Sequence, residues 1–205
     1  GDYLGDHQRV RKDVALYDSL VRIPFFVTWE AGLAGGRVER DAMVESIDVM
    51  PTLLEWAGLP IPRGSQGKSL APFLSGAARQ HRDRVFGSYG VEGEAYTAGD
   101  VEQVDFERMF ATPYSWGNWV SRLVMQGRFS MVRTHEWKLV YYANGEGELY
   151  HYPSDPNEMT NLYGRPAYRE VERALLESLL QWTMSTASTE PPYQAPEPPW
   201  LPTAG

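Results

Sequence analysis

Three strand-like runs, separated by short turns, constrain the fold more than any other feature of this sequence. They are Phe129–Arg133, Trp137–Tyr142 and Glu148–Tyr152, and each contains aromatic or β-branched residues. The turns at residues 134–136 and 144–147 carry polar residues and glycine, and a Pro-containing turn follows the third run. Short strands joined in this way predict an antiparallel meander.

A long helix is predicted after the meander, beginning at Pro166, because proline is tolerated in the first turn of a helix. Apolar residues then recur at helical spacing, and they are Tyr168, Val171, Leu175, Leu179 and Trp182. We expect this stripe to pack on the meander and form an α+β layer. From Ser188 onward the chain is rich in proline, which is typical of an extended polyproline-like arm.

An α/β unit is predicted nearer the start of the chain. Ile23–Trp29 is a short, nearly continuous apolar run, which is typical of a strand buried on both faces. Residues 48–57 read as a helix, with Asp48 as N-cap and Gly58 after the end. The apolar face of that helix would consist of Met50, Leu53, Leu54 and Ala57.

Composition excludes several classes of function. No run of about 18 apolar residues exists, so we expect no membrane span. The net charge is −8 and the 19 basic residues are scattered, which disfavours nucleic acid as a partner. Cysteine is absent, so no disulfide or thiolate site can form within these residues, and no compartment is assigned. The four histidines show no metal-type spacing.

The resemblance to a known family rests on three segments that occur in order. The first is G-D-Y-L-G-D-H-Q-R-V-R-K with Y-D-S-L-V-R-I-P-F-F, and the second is V-E-S-I-D-V-M-P-T-L-L-E-W-A-G-L-P-I-P with Q-G-K-S-L-A-P-F-L. The third is M-V-R-T-H-E-W-K-L-V-Y-Y with G-E-L-Y-H-Y-P-S-D-P-N-E-M-T-N-L-Y. Over residues 1 to about 182 the chain resembles the C-terminal part of sulfatases of the alkaline phosphatase superfamily. Gly1 matches the glycine that ends the metal-binding Asp-His-Gly or Asp-Asn-Gly of that family.

The resemblance implies an α/β fold with an α+β C-terminal subdomain. Residues 1–78 would form the edge of a large mixed sheet, residues 79–128 an aromatic-rich connecting insertion, and residues 129–187 a small antiparallel sheet with a C-terminal helix. Residues 188–205 would be the Pro-rich tail. The aromatic residues between 106 and 119 either wall a sugar or aryl subsite or cover the core or an interface, and we prefer the second interpretation because buried or interfacial sites hold most tryptophans and tyrosines.

The resemblance also implies site residues. Lys12 matches the active-site lysine by its distance from Gly1, and an ammonium group there would stabilise the negative charge on a sulfate ester. The residue after Lys12 is Asp13, where glycine is common in the family, so Arg11 is kept as an alternative occupant. His7 matches a histidine near the substrate pocket, where it would bind the sulfated group or protonate the leaving oxygen. A turn-capping histidine is the alternative.

For the whole enzyme, the resemblance implies hydrolysis of a sulfate ester or sulfated glycan by a formylglycine nucleophile, with bound calcium. The nucleophile and the calcium ligands are expected upstream of Gly1, in a missing N-terminal part, so we expect residues 1–205 alone to be inactive and to hold no metal. The alternatives are a phosphonate monoester or phosphodiester hydrolase of the same superfamily, and a non-catalytic glycan-binding fragment. A homo-oligomer is left open.

Overall fold

A four-stranded antiparallel sheet forms the centre of the structure. The computed structural model describes residues 1–11, 15–30, 32–33, 35–36, 38–90 and 127–187. The strands of the sheet are β3 (Arg84–Tyr89), β4 (Phe129–Thr134), β5 (Trp137–Tyr142) and β6 (Gly147–His151), in the order β3-β4-β5-β6. The predicted meander is therefore confirmed, and β3 extends it by pairing along the whole of β4, from Arg84 opposite Thr134 to Tyr89 opposite Phe129.

The sheet is buried on both faces, because successive side chains of a strand point to opposite sides. Val132, Leu139 and Leu149 lie on one face and pack with helix α4 (Arg169–Thr186), which follows a short 3-10 turn at Pro166–Tyr168. All five residues of the predicted stripe belong to this cluster, and they are Tyr168, Val171, Leu175, Leu179 and Trp182. The prediction of a helix packed on the meander is confirmed.

The second face of the sheet packs against the N-terminal segment. Phe129, Met131, Val140 and Tyr142 form a buried cluster with Leu16 on this face. Helix α1 (Asp18–Val21) follows directly and contributes Val21 to the edge of the cluster. The second face of the C-terminal sheet is therefore covered by the segment that directly follows the predicted site residues.

The start of the chain forms a small antiparallel hairpin. Its strands are β1 (Tyr3–Leu4) and β2 (Val10–Arg11), with Tyr3 opposite Arg11. A 3-10 turn at Asp6–Gln8 lies between them. The hairpin is closed by backbone hydrogen bonds, including one of 2.9 Å from Gly5 N to Arg9 O.

The predicted helix at residues 48–57 is observed as α2 (Val49–Trp56), after a 3-10 turn at Ser46–Asp48. Asp48 stands at the predicted position, but its side chain does not cap α2. It instead completes a capping box by accepting a hydrogen bond of 3.0 Å from Glu45 N. The predicted apolar face also differs, because Met50 and Leu53 are exposed while Pro51 and Thr52 are buried. A shorter helix, α3 (Ala71–Leu74), follows.

The segment Ile23–Trp29 differs from the predicted buried strand. It has no ladder partner among the described residues, and Phe26 is 88% exposed. A strand buried on both faces requires a neighbour on each side, and the described part of the chain supplies neither. Trp29 does contact α2, with its ring centroid 4.8 Å from that of Trp56.

Two predictions from the sequence lie outside the described residues: the aromatic segment between residues 106 and 119, and the Pro-rich tail from residue 188. The domain boundaries stay a prediction. Within the described ranges, no helix is long and apolar enough to cross a membrane.

Candidate functional site

The hairpin at the start of the chain holds His7 in a left-handed backbone conformation. His7 has φ 51° and ψ 28°, and the next residue, Gln8, has φ 58°. Non-glycine residues adopt this region uncommonly, and residues in it cluster at functional sites. The turn is held on both sides by Gly5, whose carbonyl accepts the N–H of Gln8 at 3.0 Å, and by the antiparallel strands.

The His7 side chain stacks on Tyr17. The ring centroids are 3.9 Å apart and the planes are inclined by 17°. The fully buried ring of Tyr3 meets His7 edge-on, with centroids 6.2 Å apart. Two aromatic neighbours therefore restrict the orientation of the imidazole, and the functional role of His7 stays a prediction.

Two tyrosines of the sheet, Tyr142 and Tyr150, together with Glu148 anchor Tyr17 to the sheet. Tyr150 hydrogen-bonds to Tyr17 and also donates to Glu148 Oε2 at 3.0 Å, while Tyr142 donates to Glu148 Oε1 at 2.8 Å. Burial and the nearby Glu148 carboxylate raise the pKa of Tyr17, Tyr142 and Tyr150 above the ordinary value of a phenol. These hydroxyls therefore stay protonated over the physiological range and act only as neutral hydrogen-bonding groups.

A second polar network joins Asp18, the neighbour of Tyr17, to the start of β5 and to the turn that follows β6. Lys138 and Glu158 are both buried, with Lys138 Nζ 2.5 Å from Glu158 Oε1. Asp18 Oδ1 lies 3.3 Å from the same ammonium group and accepts a hydrogen bond of 2.7 Å from Tyr152. Burial alone would raise the pKa of Asp18, but the charge of Lys138, the Tyr152 hydrogen bond and Arg133 together lower it.

A third polar cluster surrounds Asp48, which is completely buried. Its carboxylate accepts hydrogen bonds from Lys68 N at 2.8 Å and from the guanidinium of Arg82, and lies 2.9 Å from His81 Nε2. Burial would raise the pKa of Asp48, but these hydrogen bonds, Arg82 foremost, lower it to about 2. The Asp48 carboxylate oxygens bind only groups of this cluster among the described residues. The cluster therefore holds the segments around residues 45, 68 and 82 together.

The predicted site residues are only in part described. His7 is placed next to Tyr17, whereas Lys12 and the side chain of Arg11 lie outside the described residues, so their roles stay predictions. Sequence reasoning missed Tyr17, which lies ten positions after His7, because its aromatic ring carries no local signal of a stacking partner. Over the described ranges, no group of three His, Asp or Glu side chains could hold a metal ion.

Comparison with known proteins places the chain in a family. The model of the family described as N-sulphoglucosamine sulphohydrolase, C-terminal, matches residues 5–97 and 100–185. The chain belongs to this family. The match includes His7 and the second strand of the hairpin, the Asp48 cluster, and the C-terminal sheet with nearly all of α4, and it confirms the resemblance to the C-terminal part of sulfatases.

Curated relatives agree with this family. The multifunctional alkaline phosphatase superfamily protein PehA of Trinickia caryophylli is 30% identical over 190 residues, which are 91% of this chain and 33% of PehA. The N-acetylglucosamine-6-O-sulfatase of Bacteroides thetaiotaomicron is 25% identical over 181 residues, which are 87% of this chain and 28% of the relative. The chain thus spans about a third of the length of the curated relatives that it matches.

Solved structures confirm the fold. A putative sulfatase from Bacteroides thetaiotaomicron superposes with a TM-score of 0.68 over 91% of this chain and 34% of that structure, at 22% identity. The phosphonate monoester hydrolase of Silicibacter pomeroyi superposes with a TM-score of 0.53 over 72% of this chain and 26% of that structure, at 26% identity. The predicted sulfatase-like α/β fold with an antiparallel sheet and a C-terminal helix is therefore confirmed.

Proposed function

We propose that the whole protein hydrolyses sulfate esters and that the hairpin of residues 1–11, together with Lys12, carries groups that contact the transferred sulfate. The observation that carries this proposal is the family match, which covers His7, Arg11 and Lys12 in one uninterrupted segment. The orientation of His7 between two aromatic rings supports it, because a group that acts on a transition state must be held before the substrate arrives.

The proposed roles follow from the charge that develops during sulfate transfer. An ammonium group of Lys12 in contact with a sulfate oxygen would supply roughly 4 kcal/mol at an effective dielectric of about 20, before desolvation. His7 would donate a hydrogen bond to the sulfated group or a proton to the leaving oxygen. Arg11 is the alternative occupant of the Lys12 position, as the sequence comparison left open.

The nucleophile and the metal are proposed to come from residues outside 1–205. The sequence contains no cysteine that could become formylglycine, and the described residues offer no cluster of three metal ligands. Calcium, when bound in the whole enzyme, would add positive charge that holds the sulfate. The residues of this chain would then bind and orient the ester from the side of the hairpin.

The remaining part of the protein is the proposed partner of an exposed apolar surface. Ile23, Phe26, Met50 and Leu53 are all more than two-fifths exposed, and Trp29 joins the Ile23–Trp29 segment to α2. Exposed apolar surface of this kind is typical of an interface. Since the chain spans about a third of its relatives, we propose that the other two-thirds cover this surface.

The proposed substrate is a sulfated sugar. Two relatives from Bacteroides thetaiotaomicron are named N-acetylglucosamine-6-O-sulfatase and Delta 4,5-hexuronate-2-O-sulfatase, at 25% and 28% identity. A third related structure, at 22% identity, holds D-glucosamine-2-N,6-O-disulfate, described as its substrate, and that likeness concerns the fold. The proposal of a sulfated sugar as substrate therefore rests on the two named sulfatases and on the family match.

The second candidate is hydrolysis of phosphonate monoesters or phosphodiesters. PehA is 30% identical, and the phosphonate monoester hydrolase of Silicibacter pomeroyi is 26% identical with a TM-score of 0.53. These sequence identities are as high as those of the sulfatases, although the TM-score of 0.53 is below the 0.68 of the putative sulfatase, so sequence identity does not separate the two reactions. Both kinds of ester carry anionic oxygens, which Lys12 and His7 would contact in the same way.

A comparison of two ester substrates tests the proposal. The intact protein is assayed with 4-nitrophenyl sulfate and with 4-nitrophenyl phenylphosphonate under identical conditions. We expect a higher kcat/KM for the sulfate. A higher kcat/KM for the phosphonate would establish the second candidate, and no turnover of either ester, or of a sulfated glucosamine, would contradict both.

A further inference from the structure

We propose that the buried Lys138–Glu158 pair positions His7 by fixing the peptide between Tyr17 and Asp18. The inference rests on the proposed function, because it assigns this pair to the same site. The positioning itself depends only on contacts among described residues. Lys138 and Glu158 touch no proposed substrate group and act through Tyr17.

The pair is held rigidly within the sheet and the turn beside it. Lys138 is the second residue of β5, an internal strand of the sheet, and its side chain is 0% exposed. Glu158 has φ 57°, one of three described non-glycine residues with positive φ. Hydrogen bonds from Met159 N and Thr160 N to the Asp155 carboxylate, at 3.0 and 2.8 Å, fix the turn around it. A strained residue persists only when its surroundings determine it.

Glu158 uses its two oxygens differently. Oε1 accepts from Lys138 Nζ at 2.5 Å and lies 2.6 Å from the Tyr152 hydroxyl, whose single proton is shared between Glu158 and Asp18. Oε2 accepts the backbone N–H of Asp18 at 2.7 Å. The carboxylate therefore connects the start of β5 to the main chain at residue 18, which lies 140 positions before Glu158 in the sequence.

The peptide unit that Glu158 binds is held at both ends. Its N–H belongs to Asp18 and donates to Glu158, while its carbonyl belongs to Tyr17 and accepts from Leu20 N at 2.9 Å and Val21 N at 3.0 Å. At the far end of the Tyr17 side chain, the hydroxyl hydrogen-bonds to Tyr150. The ring between these two anchors is the surface on which His7 stacks at 3.9 Å.

The charges around the pair are balanced. Two cations, Lys138 and Arg133, face two anions, Glu158 and Asp18. A purely apolar contact could stabilise this part of the core equally well, since buried ion pairs contribute little net stability compared with well-packed apolar residues. What an apolar contact could not supply is an acceptor for the Asp18 N–H in a fixed direction.

The test compares Glu158→Gln, which keeps the shape and removes the charge, with Glu170→Gln as matched control. Glu170 lies on α4, is 82% exposed on its side chain and pairs only with Arg173 among the described contacts. In the intact, ¹³C,¹⁵N-histidine-labelled protein, the His7 ring signals are assigned by their loss in His7→Gln. Stacking on Tyr17 displaces these signals through the ring current, so we expect Glu158→Gln to shift them and Glu170→Gln to leave them in place.

Kinetics give the second measurement, made on the ester that the intact protein turns over faster. We expect Glu158→Gln to lower kcat/KM roughly tenfold or more, because a displacement of about 1 Å can cost about a hundredfold. In a His7→Gln background the same change should have no further effect, to within about twofold. Leu175→Ala serves as a structural control, because it perturbs the opposite face of the sheet. Its effect on kcat/KM should be the same in the wild type and in the His7→Gln background.

The outcomes separate the two proposals. If His7→Gln leaves turnover unchanged, the role of His7 in the proposed function fails, while the ring signals still decide the positioning. Unmoved ring signals in Glu158→Gln, or an equal loss of kcat/KM with and without His7, would overturn the positioning. If Glu158→Gln does not fold, Glu158→Asp serves instead, because it keeps the charge but is one methylene too short to reach both Lys138 and the Asp18 N–H.

Discussion

Replacing Asp48 by asparagine should destabilise the region around residues 45–86 without any direct effect on the hairpin. The carboxylate is fully buried and binds the Arg82 guanidinium, Lys68 N at 2.8 Å and Glu45 N at 3.0 Å, and His81 Nε2 lies 2.9 Å away. An asparagine side chain offers one acceptor oxygen, and its amide group would point donors at donors. Arg82, which is largely buried, would lose its main partner.

The magnitude follows from the pKa of Asp48. The folded value of about 2 lies below the ordinary 3.8, and at about 1.36 kcal/mol per pH unit this difference corresponds to about 2 kcal/mol. Because the folded pKa is depressed, this stabilisation is fully present above pH 3.8 and is lost as the pH falls through about 2. The hydrogen bond to Arg82 is the largest of the causes that lower this pKa, so the figure already includes the pair. It is a lower limit for the asparagine variant, because removing one member of a buried pair costs about 3–5 kcal/mol.

Hydrogen exchange of the intact protein measures this loss locally. A loss of about 2 kcal/mol should speed the exchange of the Lys68 amide roughly 30-fold or more at neutral pH, and the difference in exchange rate from the wild type should narrow as the pH falls from about 4 to about 2. Asp83→Asn is the matched control, since Asp83 also pairs with an arginine but its side chain is 65% exposed. Equal exchange in Asp48→Asn and the wild type would refute this explanation of the low pKa.

Three further predictions concern the sheet, the tail and the isolated chain. Leu175→Ala should lower the free energy of unfolding in urea titrations by about 2–5 kcal/mol, because Leu175 is buried against the sheet. Leu180→Ala, at an exposed site, should change it by less than about 0.5 kcal/mol, and similar losses in the two variants would contradict the packing described. Deletion of residues 188–205 should leave the melting temperature nearly unchanged, and a lower value or a changed elution volume on gel filtration would show that the tail packs, within or between subunits. Residues 1–205 expressed alone should neither bind calcium in calorimetry nor hydrolyse 4-nitrophenyl sulfate, and micromolar binding or turnover would show that the essential groups lie within them.

The strands and the last helix could be predicted from the sequence because their signals are local. Aromatic and β-branched runs marked β4, β5 and β6 to within one residue at their ends, and the period of α4 identified the side that packs on the sheet. Which segment packs against a given face of a helix or sheet, however, is not determined by neighbouring residues. The apolar side of α2 could be read from the sequence, but its exposure could not, because exposure depends on what the rest of the protein brings to it.

The polar networks could not be predicted, because each joins residues far apart in sequence. Asp48 before a helix reads as a cap, and its actual partners His81 and Arg82 lie 33 and 34 positions later. Glu158 reads as an acid in a turn, and nothing near it indicates a contact with the Asp18 N–H, 140 positions away. His7 could be singled out only through the resemblance to sulfatases, and its stacking on Tyr17 required the structure.

The most direct measurement of the central claim, that the hairpin and Lys12 contact the transferred sulfate, is the kcat of two variants of the intact protein with 4-nitrophenyl sulfate. Lys12→Ala should lower kcat at least roughly a hundredfold with the melting temperature unchanged, because it removes a charge that acts mainly on the transition state. Arg11→Ala should have a milder effect. The reverse order would place Arg11 in the site, and an unchanged kcat in both variants would contradict the claim.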